Sequence, residues 1–186
     1  MRADACKRMI QALVFDFDGL ILETEEADYL AWRGVFEAQA AYLPLEVWVD
    51  CIGRGAEYFD PPAYLKQRLG RPIERARLIA DHDARFLELV HAQSIRPGVR
   101  EYTEDAKRLR LKLGIASSSS RAWVTGHLDR LALSACWDSI RCREDVLHAK
   151  PEPELYDAVL TDLRVPPEQA VAIEDSPNLP NVRALR

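Results

Sequence analysis

The stretch "LVFDFDGLILETE", residues 13–25, ends an apolar run on two aspartates and a glycine. Residues 10–15, "IQALVF", are mostly apolar and partly β-branched, which predicts a short buried strand. The "DFDG" that follows is a turn signal. Asp16 and Asp18 therefore stand at the carboxyl end of a predicted strand, which is where open parallel sheets bind their ligands.

Downstream of residue 94 the sequence alternates between predicted helices and short apolar strands. Strands are predicted within "LKLGIAS" (111–117), "CWDSIRC" (136–142) and "QAVAIED" (169–175), and helices over 99–111, 121–133 and 151–163. Strands that alternate with helices of this length are typical of a parallel α/β sheet. Between about Glu25 and His91 the apolar residues recur at helical spacing with no clear strand, so this block is predicted to be an all-helical insertion after the first strand.

Composition places the chain among ordinary globular proteins. It has 186 residues, 48% of them hydrophobic, and no apolar run of 18 residues, so no membrane span is expected. Its net charge is −5 with scattered basic residues, which argues against nucleic-acid binding. The four cysteines form no CxxC pair, which favours reduced thiols and a cytoplasmic location. The first apolar run ends on acids rather than on a small-residue cleavage site, which argues against a signal peptide. No obligate protein partner is evident.

Three of the predicted strands end on polar residues at one predicted edge of the sheet. These are Asp16, Asp18 and Gly19, then Ser117 and Ser118, then Glu174 and Asp175, with Lys150 in the loop "HAKPEP". Carboxylates suit a hard cation such as Mg²⁺, while hydroxyls and an ammonium suit phosphate oxygens. One carboxylate can attack phosphorus and another can move the proton. The pattern thus predicts phosphoryl transfer, with Asp16 as nucleophile and Asp18 as acid/base.

Simpler roles stay open for the same residues. Aspartates often shape turns, a run of serines is also a feature of flexible linkers, and an isolated lysine is commonly a solvated surface residue. Each of these interpretations is weakened by the matching chemistry at the neighbouring strand ends.

Four motifs, in order, resemble those of the haloacid dehalogenase-like hydrolase superfamily, and within it the β-phosphoglucomutase-like phosphatases. "DFDG" (16–19) is similar to the DxDG motif, "IASSS" (115–119) to the strand-end serine motif, "KPEPELY" (150–156) to the lysine motif, and "IEDSPN" (173–178) to the acidic metal-binding motif. The resemblance extends from Met9 to about Asn178. It implies a Rossmann-like core with a helical cap inserted after the first strand.

The resemblance also implies roles for individual residues. Mg²⁺ would be bound by Asp16, the backbone carbonyl of Asp18 and Asp175, with Glu174 nearby. Ser117, Ser118 and Lys150 would hold the phosphoryl group. Arg54, in the "GRG" of the expected cap loop, is a candidate for contact with a second anionic group of the substrate.

Two departures from the family pattern refine the expected function. Mutase members carry a histidine where this chain has Asp28, which favours hydrolysis over mutase chemistry. Family members also continue beyond "EDSPN" with a further strand and helix, which we expect to be missing from the core here. A truncated, inactive family member is therefore an alternative.

The sequence-based expectation is a Mg²⁺-dependent phosphatase of a small phosphorylated metabolite, a sugar or polyol phosphate. It would have an α/β, Rossmann-like catalytic core formed by residues 9–23 and 94–186, and an α-helical cap domain formed by residues 24–93. A β-phosphoglucomutase-like sugar-phosphate mutase is the alternative within the same class.

Overall fold

The computed structural model describes residues 9–50 and 58–175. The strands are β1 (Ala12–Phe15), β2 (Lys112–Ala116), β3 (Ser139–Arg141) and β4 (Ala170–Ile173). The helices are α1 (Glu25–Ala38), α2 (Leu45–Val49), α3 (Pro61–Leu69), α4 (Arg75–Ala92), α5 (Val99–Arg108), α6 (Arg121–Arg130) and α7 (Glu154–Leu163). Each predicted strand is present, although the regular part of each is shorter than the apolar run that predicted it.

The four strands form one parallel sheet in the order β3-β2-β1-β4. In the central strand, Phe15 pairs with Ile115 of β2 on one side and with Ile173 of β4 on the other. This register brings the ends of β1, β2 and β4 to the same level. The predicted α/β class with a parallel sheet is confirmed, and the polar residues after these three strands meet at one edge.

Helix α7 packs its apolar face on the sheet. Tyr156, Val159 and Leu163 of this helix are buried against Val14 and Ala170 of the strands. Burial of a side chain of this size contributes about 1.5–3 kcal/mol. This packing anchors the sheet edge that carries the polar residues.

The chain divides into two compact units. The sheet unit comprises the chain up to Leu22 and from Ser94 onward, and the helical unit comprises Glu23–Gln93. Within the sheet unit, the N–H of Arg96 donates to the carbonyl of Ile21 at 3.1 Å. The backbone that leaves the sheet unit is thus hydrogen-bonded to the backbone that returns to it.

The helical unit has a core of its own, in which α1 packs on α4. Trp32, Phe36 and Leu78 are buried in this core. His82 of α4 stacks on Trp32 at a ring-centroid distance of 4.2 Å, and its Nε2 lies 2.6 Å from Oδ1 of Asp28 on α1. An aromatic stack and a charged hydrogen bond therefore join the two helices.

Within the described ranges, none of the helices combines the length and the apolar character that crossing a lipid bilayer requires.

Candidate active site

Three acidic residues converge at the edge where β1 and β4 end. The backbone N–H of Asp16 donates to the carbonyl of Ile173 at 3.0 Å, which extends the β1–β4 pairing by one residue. Asp16 is thereby held beside the two acids that follow β4. Asp16, Glu174 and Asp175 each offer a carboxylate oxygen, and these oxygens lie within 4.8 Å of one another.

Gly19 makes room for one of these acids. It adopts a φ of +75°, in the left-handed region that favours glycine. A Cβ atom placed on Gly19 would lie 1.9 Å from Oδ2 of Asp175, closer than any non-bonded contact permits. The glycine of "DFDG" therefore serves both the turn after β1 and the approach of the Asp175 carboxylate.

Lys150 bridges two members of the acidic cluster. Its Nζ lies 2.8 Å from Oδ1 of Asp16 and 2.7 Å from Oε1 of Glu174. The three side chains are largely buried, with 15%, 15% and 8% of the surface of Lys150, Asp16 and Glu174 exposed. An ion pair shielded in this way is far less screened than one on the surface. The ammonium therefore offsets part of the repulsion between the carboxylates.

Burial, followed by the effect of Asp16, raises the pKa of the two acids after β4. Burial and the hydrogen bond and negative charge of Asp16 raise the pKa of Glu174 to about 8, against the opposing effect of Lys150. Burial and the charge of Asp16 also raise the pKa of Asp175. Both burial and a neighbouring negative charge disfavour the charged form of a carboxyl group.

Asp18 points away from this cluster toward the chain after β2. Its Oδ2 accepts a hydrogen bond from Oγ of Ser119 at 2.6 Å, and its Oδ1 accepts one from Nε1 of Trp123 at 2.9 Å. Burial, reinforced by the charge of Asp16, raises the pKa of Asp18 although both hydrogen bonds oppose this. A raised pKa is what a carboxyl group needs in order to donate a proton near neutral pH.

The sequence-predicted phosphate-binding residues do not all take the same position. Ser117 is fully buried at the end of β2, and its Oγ lies 3.5 Å from Oδ2 of Asp18 and accepts from the N–H of Ser119 at 3.0 Å. Ser118 is exposed, and no contact joins its side chain to the acidic residues. Arg54 lies outside the described residues.

Comparison with known proteins identifies the family of this chain. The model of the haloacid dehalogenase-like hydrolases matches residues 13–178, which includes all the residues of the acidic cluster. The chain belongs to this family. The predicted membership is confirmed, and the chain is a hydrolase of the kind that includes phosphatases.

Similar proteins cover most of this haloacid dehalogenase-like chain. YhcW of Bacillus subtilis is 42% identical over 91% of this chain and 77% of its own length. The phosphorylated carbohydrates phosphatase of Thermotoga maritima is 32% identical over 90% of this chain and 77% of its own. Among solved structures, the β-phosphoglucomutase of Clostridium difficile is 25% identical with a TM-score of 0.66, over 90% of this chain and 77% of that one.

The family implies Mg²⁺, and the acidic cluster of this chain fits such an ion. Asp16, Glu174 and Asp175 offer only oxygen ligands, which Mg²⁺ prefers. Burial and the charge of Asp16 disfavour the charged forms of Glu174 and Asp175, and a bound cation would oppose both effects. The side chain of Asp18 is directed to Ser119 and Trp123, so a contribution from Asp18 to metal binding would come from its backbone.

Two residues that contact Asp18, Ser119 and Trp123, were missed by the sequence analysis. Helix α6 begins directly after the serine run, and Ser120 caps it by accepting from the N–H of Trp123 at 3.3 Å. The signal was available in principle, because a helix that follows a strand closely presents its first turn at the carboxyl edge of the sheet. The sequence around this turn does not predict which of its side chains contacts Asp18.

Proposed function

We propose that this haloacid dehalogenase-like hydrolase is a Mg²⁺-dependent phosphatase that acts on a small sugar or polyol phosphate through an aspartyl-phosphate intermediate. The observation that carries the proposal is the position of Asp16, between the carboxylates of Glu174 and Asp175 and 2.8 Å from the ammonium of Lys150. A carboxylate in this position can attack phosphorus and form a covalent acyl phosphate.

In the first step of the proposed reaction, an oxygen of Asp16 forms a bond to phosphorus while the bond from phosphorus to the leaving oxygen breaks. Asp18 gives its proton to that leaving oxygen, which departs as an alcohol. In the second step a water molecule attacks phosphorus, its proton returns to Asp18, and the bond from Asp16 to phosphorus breaks. Lys150 and Ser117 bind phosphoryl oxygens in both steps, which stabilises the charge that accumulates there.

The proposed metal ligands are Asp16, the backbone carbonyl of Asp18, Asp175 and, close to them, Glu174. When bound, Mg²⁺ supplies positive charge that offsets the charge of the phosphate and of the cluster. The ammonium of Lys150 also forms ion pairs with both Asp16 and Glu174.

The named activities of the relatives support the proposed substrate class. Asp28 favours hydrolysis over mutase chemistry. A relative named as a phosphorylated carbohydrates phosphatase supports a sugar or polyol ester, and Arg54 is proposed to contact a second anionic group of it. The similarity to a β-phosphoglucomutase keeps a mutase as the second candidate. In this chain the carboxylate of Asp28 is hydrogen-bonded to His82, and the resemblance implies that mutases carry a histidine at the position of Asp28.

The test is hydrolysis of an aryl phosphate and of a panel of sugar and polyol phosphates by purified protein, with Mg²⁺ or with a chelator. Asp16→Asn should abolish turnover, and Asp157→Asn, which changes an exposed aspartate of α7, should leave it unchanged. Activity that persists in Asp16→Asn would refute the mechanism. A sugar bisphosphate that is required as an activator would favour the mutase.

The cytoplasmic location, the absence of an obligate protein partner and the role of the helical segment as a substrate-selecting cap stay predictions from the sequence.

A further inference from the structure

The two oxygens of the Asp18 carboxyl group have different hydrogen-bond partners. Oδ1 accepts from the indole Nε1 of Trp123 at 2.9 Å. Oδ2 lies 2.6 Å from the hydroxyl oxygen of Ser119 and 3.5 Å from that of Ser117. The partners on the two sides thus differ in chemical kind, one being an indole and the others hydroxyl groups.

This difference determines which oxygen of Asp18 can carry a proton. An indole N–H only donates hydrogen bonds, so Oδ1 has to stay an acceptor for as long as Trp123 is bonded to it. A hydroxyl group donates or accepts, so Ser119 can accommodate a proton on Oδ2 by turning its own hydrogen away. The acidic proton is therefore favoured on Oδ2, on the side of Ser117 and Ser119, because an oxygen that carries the proton is the weaker acceptor for the indole N–H.

We propose that Trp123 is a positioning residue for the phosphatase reaction: by holding Oδ1 it directs the proton-bearing Oδ2 of Asp18 toward Ser117 and Ser119. The inference rests on the proposed function, in which Asp18 protonates the leaving oxygen. Without the indole donor, the contact that distinguishes Oδ1 from Oδ2 is lost, and the proton can also be placed on the other oxygen.

Trp123 is itself held by contacts that do not involve Asp18. Its backbone N–H donates to Oγ of Ser120 in the cap of α6. Its ring packs edge-on against His127 at a centroid distance of 4.3 Å, and His127 is buried beside Phe17. A donor fixed from two other sides can orient a carboxyl group instead of following it.

The requirement for a correctly placed proton depends on the leaving group, and this gives a specific test. An alkyl or sugar alkoxide is a poor leaving group that needs the proton of Asp18, whereas a nitrophenolate leaves without it. The ratio kcat/KM covers only the steps up to release of the alcohol, so it isolates this proton transfer from hydrolysis of the aspartyl phosphate.

The experiment compares Trp123→Phe with Trp137→Phe on both kinds of substrate. Trp137 is a matched control in the same unit, because its indole N–H is buried without a hydrogen-bond partner in the part of the chain described and its ring packs on Phe15. For Trp123→Phe, kcat/KM for an alkyl phosphate should fall by about 10- to 100-fold, in line with the loss of an aligned general acid. The nitrophenyl phosphate value should stay close to that of the wild type, as should both values for Trp137→Phe.

Several outcomes would overturn the inference. These are an equal loss on both substrates, no loss on either, or the same selective loss in Trp137→Phe. A wild-type protein without activity on any ester would overturn the proposed function, and the inference would fall with it.

If Trp123→Phe does not fold, benzothienylalanine incorporated at position 123 replaces the N–H by sulfur in a ring of nearly the same shape. The same selective loss is expected from this protein, and unchanged kinetics would refute the role of the N–H.

Discussion

The turn after β1 has room for a glycine only, which allows a sharp test with Gly19→Ala. A Cβ at this position would lie 1.9 Å from Oδ2 and 2.7 Å from Cγ of Asp175, whereas ordinary contact begins at 3.4 Å. The Asp175 carboxylate therefore has to move by more than about 1 Å, a displacement that costs on the order of 100-fold in rate when it affects a reacting group. We expect kcat of Gly19→Ala to fall by about that factor.

The same displacement should weaken Mg²⁺ binding, because Asp175 is a proposed ligand. Changes around metal ligands typically reduce metal affinity by about 10- to 100-fold. The assay is turnover as a function of Mg²⁺ concentration, and the concentration needed for half-maximal activity should rise by a factor in this range.

A matched control separates steric displacement from backbone strain. Gly70 also has a left-handed φ, of +61°, but a Cβ there would meet nothing within 4 Å. Both alanine variants should lose about 1–2 kcal/mol of stability to the strained backbone, measured by urea unfolding. Only Gly19→Ala should lose activity. Wild-type kcat and wild-type Mg²⁺ dependence in Gly19→Ala would refute the assignment of Asp175.

Two further predictions concern ion pairs. Lys150→Met removes the ammonium between Asp16 and Glu174 and should lower kcat by about 100- to 1,000-fold. In the presence of a chelator, it should also lower the free energy of unfolding by about 3 kcal/mol. Unchanged urea unfolding in the chelator would contradict the bridge. In the helical unit, burial opposes protonation of His82, but the hydrogen bonds that its ring donates to the carboxylates of Asp28 and Asp83 outweigh burial and raise the pKa of His82. The raised pKa of His82 stabilises the fold fully at pH values below the unfolded pKa of histidine, and this stabilisation is lost as the pH rises through the folded pKa. Asp28→Asn should therefore reduce stability at pH 5.5 by about 1 kcal/mol and much less at pH 9, as measured by thermal unfolding; an equal loss at both pH values would refute the charged pair.

The parallel sheet and the acidic cluster could be predicted from the sequence because both depend on local patterns. An apolar run that ends on Asp16 predicts a strand end, and the same argument applies to the strand before Glu174. Parallel strands in one sheet then bring these ends together, so the meeting of Asp16, Glu174 and Asp175 follows from topology.

The residues that contact Asp18 could not all be predicted from the sequence, for a physical reason. After Ala116 the chain leaves the strand, so the two-residue alternation that tells inward from outward side chains no longer applies. Ser117 and Ser118 were the serines predicted from the sequence, but Ser118 is exposed and Ser119 contacts Asp18. The bond from Trp123 spans 105 residues of sequence and depends on the direction in which α6 starts, which no local pattern specifies.

The hydrogen bond between the N–H of Arg96 and the carbonyl of Ile21 has a consequence for how this protein can change in evolution. This hydrogen bond joins the backbone just before the segment Glu23–Gln93 to the backbone just after it, so the two ends of the segment lie close together, like the ends of a long loop. The entropic cost of closing a loop rises only slowly with its length. Insertions, deletions or wholesale replacement between these two anchor residues thus put little strain on the strands that carry Asp16 and Asp175. If the helical unit selects the substrate as predicted, this preference can diversify while the residues of the proposed active site stay unchanged.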